Sequence, residues 1–398
     1  MINKGVRLLL SSSIALFCAT TFINTDNFFM NNIAFAENEN NKDFDNVLKN
    51  LRNKIAPDDR IALFDIKAKK ENDSIVLSGK LLNSTDKELV LKEFSNLGKI
   101  VDKIEIFPFK ETNDTPYAII NSPVMNIRAN GKHSAELVSQ SIMGSGMKII
   151  TRVKGQDDWV YVSMEEDKYL GWVRKPDITF VNKKDFDEWF SHDKVLITEP
   201  VVNLLKSANK NDKTDFKLYL TTRVNFISEN GDFYKIRLPK GNKHYSDKEF
   251  FIPKTSARLI GKNLTPLRNP QKELILKSKS MISAPYLWGG ASPAMMDCSG
   301  FTQMLYKYAG YSIPRDADQQ QSFSTPIKNR ADLKVGDLVF FSENKNHATH
   351  VGMYIGDNRF IHSSVGYNGV AITSFDPKDS LYNPVYIKIY FGAGRIIK

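Results

Sequence analysis

The chain has 398 residues, 41% of them apolar, and a formal net charge of +10. This reads as a globular chain of several domains rather than one small core. The positive charge is spread without a long basic run and no nucleic-acid recognition motif accompanies it, so an anionic wall or polymer surface is the expected partner and nucleic acid is not.

Met1–Ala36 reads as a secretory signal. Lys4 and Arg7 form a basic start, Leu8–Ile23 an apolar stretch, and Ala34-Phe35-Ala36 an A-x-A cleavage site. The apolar stretch holds three serines and is short for a membrane-spanning helix. Phe17 precedes Cys18 where a lipoprotein signal wants a small residue, so cleavage is expected. It would remove Cys18, and the loss of Lys4, Arg7 and Asp26 takes the charge from +10 to +9. A mature protein that is secreted, extracellular or wall-associated then keeps Cys298 as its one thiol, with no internal disulfide.

Residues 37–114 predict a small α+β unit. Asn41–Ile55 is a helix with Phe44, Val47, Leu48 and Leu51 on one side, and Arg60–Lys69 and Ser74–Leu82 are strands. Thr85 and Glu88 suggest a capping box for a helix that Gly98 stops, and Lys99–Phe107 is a third strand. Residues 115–182 are a run of short strands, and 183–260 repeat the pattern from Lys194 onward after a lead-in that includes Trp189. Residues 261–270 are a linker, and 271–398 form the last domain, starting with a helix over Gln271–Ile282.

The chemistry concentrates in this last domain. Asp297 is a good N-cap, and Phe301, Met304, Leu305 and Tyr308 follow at i, i+3, i+4 and i+7, a buried helix face that Gly310 ends. Cys298 therefore falls in the first helical turn, where unpaired N–H groups and the helix dipole favour the nucleophilic thiolate. Downstream, Gly336–Ser342, His350–Gly356 and Arg359–Ser364 read as strands. Were the last two joined by a loop of three or five residues centred on Gly356, His350 and His362 would stand directly opposite on one face. That is a nucleophile, base and base-orienter arrangement. His347 is a competing base, read instead as a loop histidine in the polar run Ser342–Thr349. The histidines show no zinc-ligand spacing, and neither metal nor organic cofactor is expected.

Tyr286, Trp288, Gly289, Gly290 and Asp297–Phe301 resemble the nucleophile block of the NlpC/P60-type cysteine peptidases, papain-like enzymes of the bacterial cell wall, and His350–Ile355 and His362 match its later blocks. The resemblance implies an α+β papain-like catalytic domain. It makes Cys298, His350 and His362 catalytic and gives Tyr286 a part in the oxyanion site. It also implies one or two all-β SH3-like barrels before it, on Asn126, Arg128 and Gly171-Trp172-Val173; the second barrel is divergent, lacking the glycine-tryptophan ending. Residues 37–114 faintly resemble BON domains. In related dipeptidyl peptidases the SH3-like domain contributes a Glu and a Tyr to the cleft, which here are Glu136 and Tyr169. An Asp at the position of Asp316 binds the substrate's α-amine, although Ala317 replaces the serine that commonly follows. Asp316 could equally form a surface pair with Arg315. Asp297 and Ser299 complete the expected substrate-binding set.

The function implied is hydrolysis of the γ-D-Glu to L-diamino acid bond in peptidoglycan stem peptides that carry a free N-terminal L-Ala, by a monomer. Alternatives are an endopeptidase on intact cross-linked wall with the SH3-like modules as anchors, a non-catalytic wall-binding protein, and an acyl transferase using the same thioester. Lysine and diaminopimelate at the third position both stay open.

Overall fold

The computed structural model describes residues 39–397 apart from 113, 153–157, 242–244 and 246–247; residues 1–36, expected to be a secretory signal, lie outside the described residues with Cys18. The first unit comprises α1 (Glu39–Ile55), β1 (Phe64–Glu71), β2 (Ser74–Leu81), α2 (Ser84–Ser95) and β3 (Lys99–Ile106). β2 pairs antiparallel with β1 and parallel with β3. Phe44 and Leu51 of α1 and Val90 and Phe94 of α2 close over Leu77 and Leu81 of the sheet. The cap of α2 is Asn83, whose side chain accepts from the Asp86 N–H at 2.9 Å, so Thr85 lies inside the helix instead of opening it. β1 starts only at Phe64, and Asp58–Ile61 form a turn where a strand was expected from Arg60.

Two barrels follow. The first holds β4 (Tyr117–Ile120), β5 (Val124–Arg128), β6 (Leu137–Ile142), β7 (Gly146–Thr151), β8 (Trp159–Met164), β9 (Leu170–Arg174) and β10 (Ile178–Val181). Residues 183–191 are a helix, α3 (Lys183–Ser191), rather than a plain linker; its Trp189 is buried and donates Nε1–H to the Gly144 carbonyl at 3.0 Å. The second barrel holds β11 (Lys194–Ile197), β12 (Val201–Leu205), β13 (Lys213–Tyr219), β14 (Arg223–Asn230), β15 (Phe233–Arg237), β16 (Glu249–Pro253) and β17 (Ala257–Ile260). The sheet orders are β10-β4-β7-β8-β9-β5-β6 and β13-β12-β16-β15-β14-β11-β17. Matched strand for strand and read from opposite ends, they are the same order. The second barrel is thus a repeat of the first, with Phe250-Phe251-Ile252 on the strand where the first carries Gly171-Trp172-Val173.

The last domain packs helices on a six-stranded sheet. It contains α4 (Pro270–Lys279), a short hairpin of β18 (Ala291–Ser292) and β19 (Met295–Met296), α5 (Cys298–Tyr308) and α6 (Ala317–Phe323). Then come β20 (Thr325–Ile327), β21 (Leu338–Phe341), β22 (His350–Gly356), β23 (Arg359–Ser364), β24 (Gly369–Ser374), α7 (Pro384–Lys388) and β25 (Tyr390–Arg395). The sheet order is β20-β25-β21-β22-β23-β24. Phe301, Met304, Leu305 and Tyr308 of α5 are buried against Val351, Met353 and Ile361 of the sheet. This presses the start of α5 onto the β22–β23 edge of the core, where the two histidines lie.

Candidate active site

Asp297 caps α5, its Oδ1 accepting the Gly300 N–H at 2.7 Å, and Cys298 opens the helix. The thiol is free and 8% exposed. The backbone N–H groups of Val351 and Ser299 lie against its sulfur. Burial, followed by the neighbouring Asp297 carboxylate, nevertheless pushes the thiol up to about 12. The helix terminus therefore does not leave a standing thiolate, contrary to the expectation from the sequence; the cost of a buried charge outweighs the dipole.

His350 Nε2 lies 2.7 Å from His362 Nδ1, and His362 Nε2 lies 3.0 Å from Thr373 Oγ1. Thr373 Oγ1 in turn donates to the Tyr367 hydroxyl at 3.4 Å. A threonine donating outward accepts from His362 Nε2–H. His362 Nδ1 is then an acceptor, His350 carries its proton on Nε2, and His350 Nδ1 keeps the lone pair a base needs. Burial pushes His350 down to about 4 and, with His350 beside it, His362 well below its ordinary value. Thiol and imidazole are thus both neutral at rest.

The register differs from the expected one. Met353 pairs with Ile361 and Gly356 with Arg359, with a bulge at Ile355 and a two-residue turn of Asp357 and Asn358, both at positive φ. His362 therefore faces Gly352, and His350 meets it diagonally instead of directly. Gly352 makes the diagonal reach possible: a Cβ there would sit 3.0 Å from the Phe360 ring and 3.2 Å from His362 Cβ.

The other expected residues divide. Tyr286 is half-buried and bridges to Met296, two residues before Cys298. The Tyr169 hydroxyl donates to Asp316 Oδ2 at 3.1 Å across the domain boundary. Burial raises the Asp316 carboxyl, offset in part by Arg315 and Arg60. Glu136 is exposed and accepts from Trp288 Nε1 at 2.8 Å, at the lip of the loop that leads to Cys298. Asp297 and Ser299 were expected to contact substrate, but the structure turns both side chains inward. Asp297 takes Arg315 Nη2 at 2.6 Å and the Gly289 N–H at 2.9 Å, and Ser299 Oγ accepts Arg315 Nη1 at 2.8 Å. Arg315 is 1% exposed, so it is no surface partner of Asp316, whose nearest oxygen is 3.9 Å away.

Sequence reasoning missed Arg315, Thr373 and Arg60. Arg315 also donates Nε–H to Ser139 Oγ of β6 at 3.0 Å, and the Gln140 side chain accepts the Ala291 N–H at 3.1 Å. β6 is thereby fastened to the nucleophile loop. Gly289, at φ +73°, is required there because a Cβ would run into the Leu137 carbonyl. Arg60 reaches Asp316 from the first unit, with Nη1 2.9 Å from Oδ2. None of the three sits in a periodic pattern; the adjacency of Arg315 and Asp316 was the one available signal.

Comparison with known proteins agrees with this architecture. The NlpC/P60 family model matches residues 283–395, a span that takes in Cys298, His350 and His362. The model of the bacterial dipeptidyl-peptidase Sh3 domain matches residues 127–178. A γ-D-glutamyl-L-lysine dipeptidyl-peptidase of Bacillus cereus is 31% identical over 271 residues, covering 66% of this chain and 76% of that protein. Dipeptidyl-peptidase 6 of Lysinibacillus sphaericus is 26% identical, covering 67% of this chain and 94% of its own. The crystal structure of an NlpC/P60 family protein from Bacillus cereus superimposes with a TM-score of 0.60 at 25% identity, covering 70% of this chain and 99% of that one.

Proposed function

The chain belongs to the NlpC/P60 family and is a cysteine peptidase acting on peptidoglycan; from that premise we propose that it hydrolyses the γ-D-Glu to L-diamino acid bond of stem peptides with a free N-terminal L-Ala, as a secreted dipeptidyl peptidase. The observation that carries the catalytic part is the His350–His362–Thr373 chain on the strands against which the helix opened by Cys298 packs. As Cys298 Sγ attacks the γ-carbonyl carbon, its proton passes to His350 Nδ1. The C–N bond then breaks, the leaving amine takes that proton, and a thioester remains. Water adds to the thioester, losing a proton to His350, and the thiol is restored as the dipeptide leaves. His362 orients His350, while the Cys298 N–H and the Tyr286 hydroxyl serve the oxyanion, one such donor being worth roughly 3 kcal/mol.

The free-amine requirement is supported by the contact of Tyr169 with Asp316 across the domain boundary, which sets a half-buried carboxylate beside the nucleophile helix. An ammonium entering this closed end needs such a partner, because an unpaired buried charge costs several kcal/mol, roughly. Glu136, held by Trp288 at the lip, supplies further negative charge on the approach. The test uses three substrates under reducing conditions: L-Ala-γ-D-Glu-L-Lys with its diaminopimelate equivalent, the same peptides N-acetylated, and intact peptidoglycan. Cleavage of the free-amine peptides alone is expected. Equal cleavage of acetylated peptide or whole wall would favour an endopeptidase with the SH3-like barrels as anchors.

A further inference from the structure

The described residues of the first unit hold none of the catalytic groups named above, yet two of their side chains reach the catalytic domain: Arg60, and Asp58, whose Oδ2 accepts Gln319 Nε2–H at 2.6 Å. Arg60 stands in the turn after α1, and its carbonyl accepts the Leu170 N–H at 2.7 Å. Its guanidinium spends all five N–H groups on carboxylates. Nε and Nη2 bind Asp58 at 2.8 and 2.9 Å, Nη2 and Nη1 bind Asp318 at 2.7 and 3.0 Å, and Nη1 binds Asp316 Oδ2 at 2.9 Å. Two paired forks fix the group on Asp58 and Asp318, and the remaining N–H aims at Asp316.

We propose that Arg60 is a positioning residue for substrate selection: it makes the first unit part of the cleft by holding Asp316 for the substrate's α-amine. The proposal rests on the amine-binding reading above. Arg60 and Tyr169 both occupy Oδ2 of Asp316, whose side chain also takes the Gln319 N–H as the cap of α6; Arg315 stays 3.9 Å from Oδ1 and is committed to Asp297, so a lone pair on the carboxylate remains for a ligand. Charge points the same way. Asp58, Asp316 and Asp318 bring three negative charges against the single positive charge of Arg60, so the cluster keeps a net negative charge to offer an ammonium group. With no N–H to spare, Arg60 itself does not bind substrate. It acts through Asp316, fixing the rotamer and favouring the ionised form.

The experiment compares full-length wild type with Arg60→Met, Arg60→Lys and Asp58→Asn on L-Ala-γ-D-Glu-L-Lys and its N-acetyl form. Thermal melting serves as the check on folding. The loss of one charge-assisted hydrogen bond predicts a rise in KM of about tenfold for the free-amine peptide in Arg60→Met, with kcat nearly unchanged. Arg60→Lys should recover part of the loss. Asp58→Asn, which loosens Arg60 and the Gln319 side chain that accepts the Asp316 N–H while keeping the Arg60–Asp316 pair, should move KM in the same direction by less. The acid limb of kcat/KM should move to higher pH in Arg60→Met, since Asp316 then takes up its proton more readily. A fall in kcat at constant KM, or equal losses on both peptides, would overturn the proposal and leave Arg60 as a domain tie. Should Arg60→Met not fold, the Lys and Asn variants decide by the same criteria. A wild-type enzyme indifferent to acetylation would instead refute the amine reading itself, and the proposal with it.

Discussion

Thr373 decides which nitrogen of His350 is free. Thr373 is fully buried, and its hydroxyl lies between His362 Nε2 and the Tyr367 hydroxyl. Thr373→Val keeps the shape but strands a buried N–H, a cost of about 1–3 kcal/mol that can be avoided by moving the proton to Nδ1. That tautomer no longer accepts from His350. We expect kcat to fall by about tenfold with KM little changed, measured by steady-state kinetics on the free tripeptide. The neutral resting pair gives a second expectation. With the thiol pushed up to about 12, alkylation of Cys298 by iodoacetamide should keep accelerating as pH rises through the alkaline range. A standing thiolate would instead give a plateau from mildly acid pH. The sign for catalysis is opposite: His350, pushed down to about 4, stays an unprotonated base until pH falls through that value. Cys298, His350 and His362 are legible from residue type and spacing alone. Their protonation states are not, because burial is set by residues distant in the chain.

The start of the nucleophile helix depends on one buried ion pair. Arg315 Nη2 and Asp297 Oδ2 are 2.6 Å apart, and the same carboxylate caps α5 and holds the Gly289 N–H. Arg315→Leu leaves Asp297 charged and unpaired inside the protein, which should cost about 3–5 kcal/mol of stability. Differential scanning calorimetry should show a clearly lowered melting temperature, and activity should fall because Cys298 sits on the disturbed cap. The sequence supports α5 well: a capping residue, an apolar face at helical spacing and a terminating glycine coincide. The β22–β23 hairpin is legible only to its strands. Period two puts both histidines on one face, but the bulge at Ile355 shifts the register, and no residue type announces that bulge. Thr85 misleads for a related reason, since Asn83 two positions earlier is an equally good cap and takes the role.

Three domains meet around the catalytic unit. The first barrel joins it through Arg315–Ser139, Ala291–Gln140 and Tyr169–Asp316, and the second through Arg258 Nη2 on the Tyr308 carbonyl at 2.7 Å. The first unit joins through Arg60 and Asp58, on Asp316 and Gln319. Glu166 of the first barrel binds both Arg223 of the second and Lys307 of α5, tying three domains at one carboxylate. A barrel that merely anchored the enzyme to wall would not need polar contacts at the nucleophile loop. Tyr169→Phe should therefore raise KM for the free-amine peptide with kcat little changed, as steady-state kinetics will show. The domain types are legible from strand spacing and the glycine-tryptophan ending, and the equivalence of the two barrels emerges only from their shared strand order. The contacts between domains are not legible, because a lone Arg60 or Ser139 carries no sequence pattern. The most direct measurement is product analysis of L-Ala-γ-D-Glu-L-Lys incubated with wild-type protein and with Cys298→Ser. The account predicts L-Ala-γ-D-Glu and free lysine from the wild type and neither from the variant. Undiminished hydrolysis by Cys298→Ser, or release of L-Ala alone, would contradict it.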